Sequence, residues 1–337
     1  MTWPAVNYAG NPLDLEVQRV GNLDVNGLLR VSGGALGVGG MDLIPGNCWF
    51  VDADDGDDNN DGRCWNNAFA TIQTAVNWAR YGAATGSLEY VIKNHHKFIF
   101  VRPGHYNLTS YISFSGYGMH LIGLGAVPGK DYGVSLNYDG AITSVGVIAF
   151  SGSNNSIHNI HIYDDAAVPA IYMAGGDNNL IDGVVIEGDG VNATAGIYAP
   201  SMKGSWIRNC VIHNCAKGIH LPGGANMYFI HGGIEGNQIH SDITGAKGIM
   251  IDGPGLTVCY NARINRNWID VFGGGATAIG IDINDTGNIL VTDNRILVAG
   301  SAAGISNAGL GTMFNQVSVN GTMAGQATID VNDQTEG

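Results

Sequence analysis

The chain has 337 residues, of which 52 are glycine, roughly twice the ordinary ~7% share, while only 13% are charged, about half the usual ~25%. Fifteen Lys and Arg against twenty-nine Asp and Glu leave a formal charge of −14, which opposes a polyphosphate partner and excludes nucleic acid as the expected target. No apolar run approaches the roughly 18 residues of a membrane span, so no membrane insertion is expected, and Met1 to Pro12 lack the basic and apolar regions of a secretory signal, which predicts folding in a cytoplasm.

Residues 1–47 set Leu15, Val17, Val20, Leu23, Val25, Leu28, Leu29 and Val31 among polar residues ahead of a Gly-rich stretch, a texture that differs from the rest. They read either as a separate segment or as an extra strand layer of the same domain. The loop Asp57-Asp58-Asn59-Asn60-Asp61-Gly62 carries oxygen ligands at alternate positions and glycine at the sixth, as in the first half of a calcium loop. Ala68 stands where the bidentate glutamate would be. Asp57, Asn59 and Asp61 are therefore candidate ligands for a structural calcium, with a solvated acidic turn as the simpler reading, and no other cofactor is expected. From Phe69 to Arg80, Ile72, Ala75, Val76 and Ala79 fall at i, i+3, i+4 and i+7, which predicts one amphipathic helix. Phe98-Ile99-Phe100-Val101, ending at Pro103-Gly104, predicts a strand. Cys48, Cys64, Cys210, Cys215 and Cys259 show no metal-ligand spacing and read as reduced thiols, a Cys48–Cys64 bridge being the alternative.

From residue 157 onward a six-residue phrase recurs with apolar ends: Ile157-His-Asn-Ile-His-Ile162, Ile181-Asp-Gly-Val-Val-Ile186, Ile207-Arg-Asn-Cys-Val-Ile212, Ile234-Glu-Gly-Asn-Gln-Ile239, Ile264-Asn-Arg-Asn-Trp-Ile269 and Val291-Thr-Asp-Asn-Arg-Ile296. The copies start 24 to 30 residues apart, which is the period of a solenoid coil. Each phrase is too short for a helix, and its Asn or Gly centre supplies a left-handed bend between two short strands. A second phrase recurs between copies: Ala170-Ile171, Gly196-Ile197, Gly218-Ile219, Gly248-Ile249, Gly280-Ile281 and Gly304-Ile305. One coil cannot bury its Ile and Val alone, whereas coils stacked about 4.8 Å apart build a continuous core. The fold predicted is all-β, a right-handed parallel β-helix, with the helix capping its N-terminal end. The expected divisions are 1–47, a cap region 48–97 and the β-helix 98–337.

Phe50-Val51-Asp52, the Asp-rich loop to Gly62, Ala70-Thr71-Ile72-Gln73-Thr74-Ala75-Val76, Val101-Arg102-Pro103-Gly104-His105-Tyr106 and Leu121-Ile122-Gly123-Leu124-Gly125 together resemble the opening of pectate-lyase-like β-helix proteins. The resemblance covers about residues 48–310. It implies the fold and leaves the chemistry open, because that superfamily includes lyases, hydrolases, epimerases, adhesins and viral tailspikes. Residues 1–47 resemble the attachment segments that precede the β-helix in phage tailspikes and capsid decoration proteins. The resemblance thus implies a virion structural protein, made in the host cytoplasm and displayed on the particle surface. It would be a homotrimer, joined to other virion proteins through residues 1–47 and touching surface polysaccharide, with no catalysis required. The alternative is a polysaccharide-degrading hydrolase or lyase using carboxylates on the wall, although the pectate-lyase set of calcium carboxylates and a basic residue does not map onto this chain.

In-register stacking turns equivalent positions into columns on the outer wall. The second position of the phrase gives His158, Asp182, Arg208, Glu235, Asn265 and Thr292. Asp182 and Glu235, two coils or about 9–10 Å apart, approach the ~6.5–9.5 Å separation of inverting glycosidases. Arg208 between them offers the alternative of an alternating-sign ladder that disfavours a general acid. The residue after the phrase gives Tyr163, Glu187, His213, His240, Asp270 and Leu297, a candidate acid–base or metal column and equally a polar seam. The residue after Gly-Ile gives Tyr172, Tyr198, His220, Met250, Asp282 and Ser306, where Tyr172, Tyr198 and His220 would contact either sugar rings or another subunit.

Overall fold

The computed structural model describes residues 36–38, 41–43, 47–81, 96–125, 133–138, 145–164, 167–191, 193–223, 228–252, 258–273, 277–284, 289–298 and 303–307, and short strands between Met313 and Thr335. The chain forms two compact units, Met1–Ile44 and Pro45–Gly337. In the first, Leu36–Val38 pairs antiparallel with Met41–Leu43; of the rest of the expected attachment segment only Asn47 is among the described residues, and it belongs to the second unit.

The second unit is a parallel β-helix. Its first sheet has eleven strands, from Cys48–Val51 to Thr328–Ile329, its second has ten, from Gly104–Leu108 to Gln334–Thr335, and its third has nine, from Ile112–Phe114 to Thr322–Gly325. Within each sheet a strand pairs in parallel with its equivalents one coil before and one coil after, and the six phrases align residue for residue. Unequal coil lengths do not disturb this register, because the differences in length fall in the residues between the phrases. Some of them form a short fourth ladder that the sequence pattern did not predict: Ser201–Lys203, Tyr228–Ile230 and Val258–Tyr260.

The phrase explains how a coil turns. Its first residue enters the core from the first sheet and its sixth from the second, and all twelve are at most 1% exposed. The third residue carries the bend: Asn159, Gly183, Asn209, Gly236, Arg266 and Asp293 have φ between 53° and 65°. Arg266 and Asp293 adopt this left-handed conformation without glycine's freedom. The fourth residue, where three late copies carry Asn, forms a buried ladder. The Cys210 amide donates to Asn237 Oδ1 (3.0 Å), the Asn237 amide to Asn267 Oδ1 (3.0 Å), and the Asn267 amide to Asn294 Oδ1 (3.0 Å). Each side-chain NH2 in turn donates to the carbonyl of Ile207, Ile234 or Ile264 at 2.8 to 3.1 Å. Backbone amides that the bend withdraws from the sheets are thereby satisfied.

Glycine in the Gly-Ile phrase has a packing cause. A Cβ on Gly196, Gly218, Gly248 or Gly280 would stand 2.3 to 2.6 Å from Cγ2 of Ile212, Ile239, Ile269 or Ile296, so the last isoleucine of each phrase needs that space.

The helix spans Ile72–Tyr81 and packs on Cys48–Val51, Lys97–Val101 and Ile112–Phe114, with Ile72, Ala75, Val76 and Ala79 at most 1% exposed. It starts three residues later than the periodicity suggests because Phe69 is pinned to the first strand, donating its amide to the Phe50 carbonyl at 2.9 Å. Thr71 then serves as the N-cap, its Oγ1 accepting from the Thr74 amide at 3.3 Å. The stack also begins earlier than expected: Cys48–Val51, within the expected cap region, is the first strand of the first sheet and pairs with Lys97–Val101.

Asn267→Ala would leave the Asn237 amide and the Ile234 carbonyl unsatisfied in the core. At about 1–3 kcal/mol per orphaned group, it should destabilise the protein by at least about 2 kcal/mol in urea denaturation. Asn137→Ala, on an exposed side-chain pair with Asn107, should stay within about 0.5 kcal/mol.

Candidate functional site

The outer face of the first sheet holds two adjacent rows. One is the expected column His158, Asp182, Arg208, Glu235, Asn265 and Thr292; the other, two residues earlier on each strand, is Ser156, Leu180, Trp206, Gly233, Arg263 and Leu290. The second row was not picked out from the sequence, although it follows from the same register. In it, the six-membered ring of Trp206 lies over Gly233, where a Cβ would stand 2.3 Å from the ring. Beside this platform is a cavity of about 590 Å³ lined by Trp206, His231, Asn261, Arg263, Ile289 and Leu290. Its size falls within the ~300–1,000 Å³ of small-ligand sites. His231 and Tyr260, from the fourth ladder and its bend, meet edge to face with centroids 4.9 Å apart.

The carboxylates of this wall are tied to cations. Asp182 accepts from Arg208 Nη2 at 3.0 Å and from Asn209 Nδ2 at 2.8 Å. Glu235 accepts from Asn265 Nδ2 at 3.2 Å and from Arg266 Nη1 at 3.5 Å. Asp182 and Glu235 thus stand two coils apart with Arg208 between them, each occupied by its own arginine.

On the second sheet the expected column Tyr163, Glu187, His213, His240, Asp270 and Leu297 is in register. Its groups pair locally: His161 with Glu187 (3.5 Å), His240 with Asp242 (3.3 Å) and Trp268 Nε1 with Asp270 (2.7 Å). Among the described residues no three His, Cys, Asp or Glu converge as a metal-binding group.

On the third sheet Tyr172, Tyr198 and His220 align as expected. The tyrosine rings stack at 5.4 Å and 16°, His220 meets Tyr198 edge-on at 5.1 Å, and its Nε2 lies 2.7 Å from Asp252 Oδ2. These rings spend much of their faces on one another. The acidic loop likewise bonds within itself: Asp57 Oδ1 accepts from the backbone and side-chain amides of Asn59 at 2.9 and 2.8 Å, and Asp61 Oδ1 from the Arg63 amide at 3.0 Å. Asp58 binds the helix cap, accepting from the Thr71 amide and hydroxyl at 2.9 and 2.7 Å. Cys48 and Cys64 are not bridged; Cys64 is exposed, whereas Cys210 is buried and its thiol is pushed up to about 12 by desolvation.

The sequence profile described as "Right handed beta helix region" matches residues 132–322, more than half of the chain's 337. The chain belongs to the right-handed β-helix family. Among solved structures this β-helix is similar to a rhamnogalacturonan lyase, at 12% identity and TM-score 0.56 over 82% of this chain and 75% of that one. It is also similar to the pectate lyase Pel9A, at 13% identity and TM-score 0.56 over 86% and 78%, and to XylC in complex with xylose, at 12% identity and TM-score 0.50 over 83% and 70%. At such identities the likeness concerns the fold. A comparison with curated proteins finds no match.

Five wall histidines of this β-helix resist protonation. Burial is the leading cause, taking His120 from 6.5 down to about 4 and lowering His158, His161, His213 and His220. Between about 6.5 and about 4 the unfolded chain holds a proton that folded His120 does not, and the other four act in the same direction, so the His120 contribution to stability is complete above that window and is lost as pH falls through it. The urea midpoint should drop between pH 7 and pH 4.5, and His120→Gln should flatten part of that drop; an unaltered slope in the variant would rule out His120 as a contributor.

Proposed function

We propose that this β-helix is a glycan-recognition protein and that the cavity beside Trp206 on the first sheet holds the saccharide. The observation that carries this reading is the platform itself: a half-buried indole seated on a glycine, next to a concave space with Arg263, Asn261 and His231 at its edge. An aromatic face takes the apolar side of a sugar ring, and the fixed donors and acceptors around it select hydroxyl directions. Recognition rather than glycan cleavage is favoured because Asp182 and Glu235 are each already engaged by an arginine. The stacked rings of Tyr172, Tyr198 and His220 suit a contact between subunits better than a sugar platform, since their faces are spent on one another.

The setting proposed is a virion surface, with residues 1–47 as the attachment segment and a homotrimer as the displayed form. The division of the chain at residues 44 and 45 supports an attachment unit separate from the β-helix. Asp57, Asn59 and Asp61 are retained as a proposed calcium loop, to be tested by the change in thermal midpoint on adding calcium or chelator.

On an array of neutral and acidic bacterial oligosaccharides the full chain should bind a defined subset. Trp206→Ala should weaken that binding on the order of tenfold, and Gly233→Ala, which lifts the indole, should also weaken it. Binding that is indifferent to both substitutions would remove the cavity from the proposal. Light scattering should give the mass of a trimer, and a chain lacking residues 1–47 should keep its fold while losing attachment to particles.

A further inference from the structure

We propose that Ser156, His158 and Asp182 form a nucleophile relay on the first sheet that hydrolyses esters of short carboxylic acids. The three belong to two neighbouring coils. Ser156 and His158 are alternate residues of one strand and point outward on either side of buried Ile157, and His158 is in register with Asp182 on the next strand. Ser156 Oγ lies 2.9 Å from His158 Nε2, and His158 Nδ1 lies 3.8 Å from Asp182 Oδ2. Each imidazole nitrogen therefore faces the partner that a serine–histidine–aspartate relay requires of it. The longer second separation is of the kind that shortens when the imidazole becomes charged during reaction.

A second chain of contacts reaches the same hydroxyl. His120 Nδ1 is 2.7 Å from the same Oγ, and His120 Nε2 is 2.6 Å from His96 Nδ1. The assignment the relay uses is His96 Nδ1–H to His120 Nε2, His120 Nδ1–H to Ser156 Oγ and Ser156 Oγ–H to His158 Nε2; the reverse chain makes the same three hydrogen bonds but turns a bare His158 Nδ1 toward the Asp182 carboxylate. In that assignment the serine hydroxyl is directed at the base, while Arg208 donates to the same Oδ2 that faces His158 (3.0 Å) and Asn209 donates to Oδ1 (2.8 Å). Burial keeps both His120 and His158 below the ordinary imidazole range, so His158 is neutral and able to accept a proton at neutral pH.

In the reaction, Ser156 Oγ bonds to the ester carbonyl carbon while its proton passes to His158 Nε2. The tetrahedral adduct expels the alcohol oxygen, which leaves with that proton, and Ser156 remains acylated. Water then attacks the acyl carbon, gives a proton to His158, and the carboxylic acid departs as the proton returns to Ser156. Asp182 is a positioning residue throughout, stabilising the imidazolium. The substrate class proposed is the smallest acyl group, acetyl, because Ser156 is only 3% exposed, with Oγ between two imidazoles, and larger acyl groups would meet both rings. This activity does not depend on the glycan reading, because an ester of any small alcohol presents the same carbonyl.

The test uses the full chain with 4-nitrophenyl acetate and a fluorophosphonate probe, neither of which carries a sugar. Turnover of the acetate and a phosphonyl adduct mapped to Ser156 are expected. Ser156→Ala should abolish both, and His158→Gln should slow turnover by about 10²-fold or more. Asp182→Asn should reduce turnover and alter the acid limb of its pH profile, which in the unsubstituted chain should lie below the ordinary histidine range. That limb is set by His158 together with the groups facing it, His120, His96, Asp182 and Arg208. No adduct at Ser156 on the unsubstituted chain, or turnover unaltered by Ser156→Ala, would overturn the relay and leave the network as a structural strut. The adduct on the unsubstituted chain decides the matter even where a variant fails to fold, and oligosaccharide binding measured separately keeps the two proposals apart.

Discussion

Everything on the outer wall depends on one constraint: a coil of 24 to 30 residues cannot bury its isoleucines except against the next coil in register. Because strand side chains alternate in direction, a slip of one residue would bring the outward row inward and expose the core row. The isoleucine columns thereby also determine where every wall residue stands. Ile212, Ile239, Ile269 and Ile296 make the point locally, since each occupies space that only a glycine leaves open.

Polar groups reinforce the same register from inside. The ladder from Cys210 through Asn237 and Asn267 to Asn294 makes each coil's bend amides depend on the side chain of the following coil. A second ladder, at the entry to the first sheet, runs from the Met119 amide through Asn155 and Asn179 to Ser205. These buried amides are satisfied only by a neighbour in the correct position, so a misregistered coil loses hydrogen bonds as well as apolar contact. The helix does the corresponding work at the N-terminal end, packing on the first described strands of the first and third sheets.

The phrase, its period and the three outward columns were legible in the sequence because each coil repeats the same inward pattern, and strand pairing places those columns where they were expected. The bend was legible in four copies from Asn or Gly; Arg266 and Asp293 adopt the same left-handed φ without either residue type to announce it. The fourth ladder was not legible, since it arises from residues outside the repeat, and neither was the cavity, whose His231 and Asn261 lie at that ladder's bends. Trp206, Arg263 and Ser156 could have been found by counting one position before the phrase. His120 could not, because its coil precedes the first recognisable copy.

The two proposed sites share a wall but differ in how they use it. The cavity needs an irregularity, a glycine under a tryptophan and a ladder added to one side, and so belongs to particular coils. The serine relay needs only regular geometry: alternate residues on one strand bring hydroxyl and base together, and the next strand supplies the carboxylate directly beside the base. A parallel solenoid is suited to such an arrangement because adjacent strands lie about 4.8 Å apart, within side-chain reach for hydrogen bonding. The residues then approach one another with little loop ordering to oppose it, since the core beneath has already fixed their backbones.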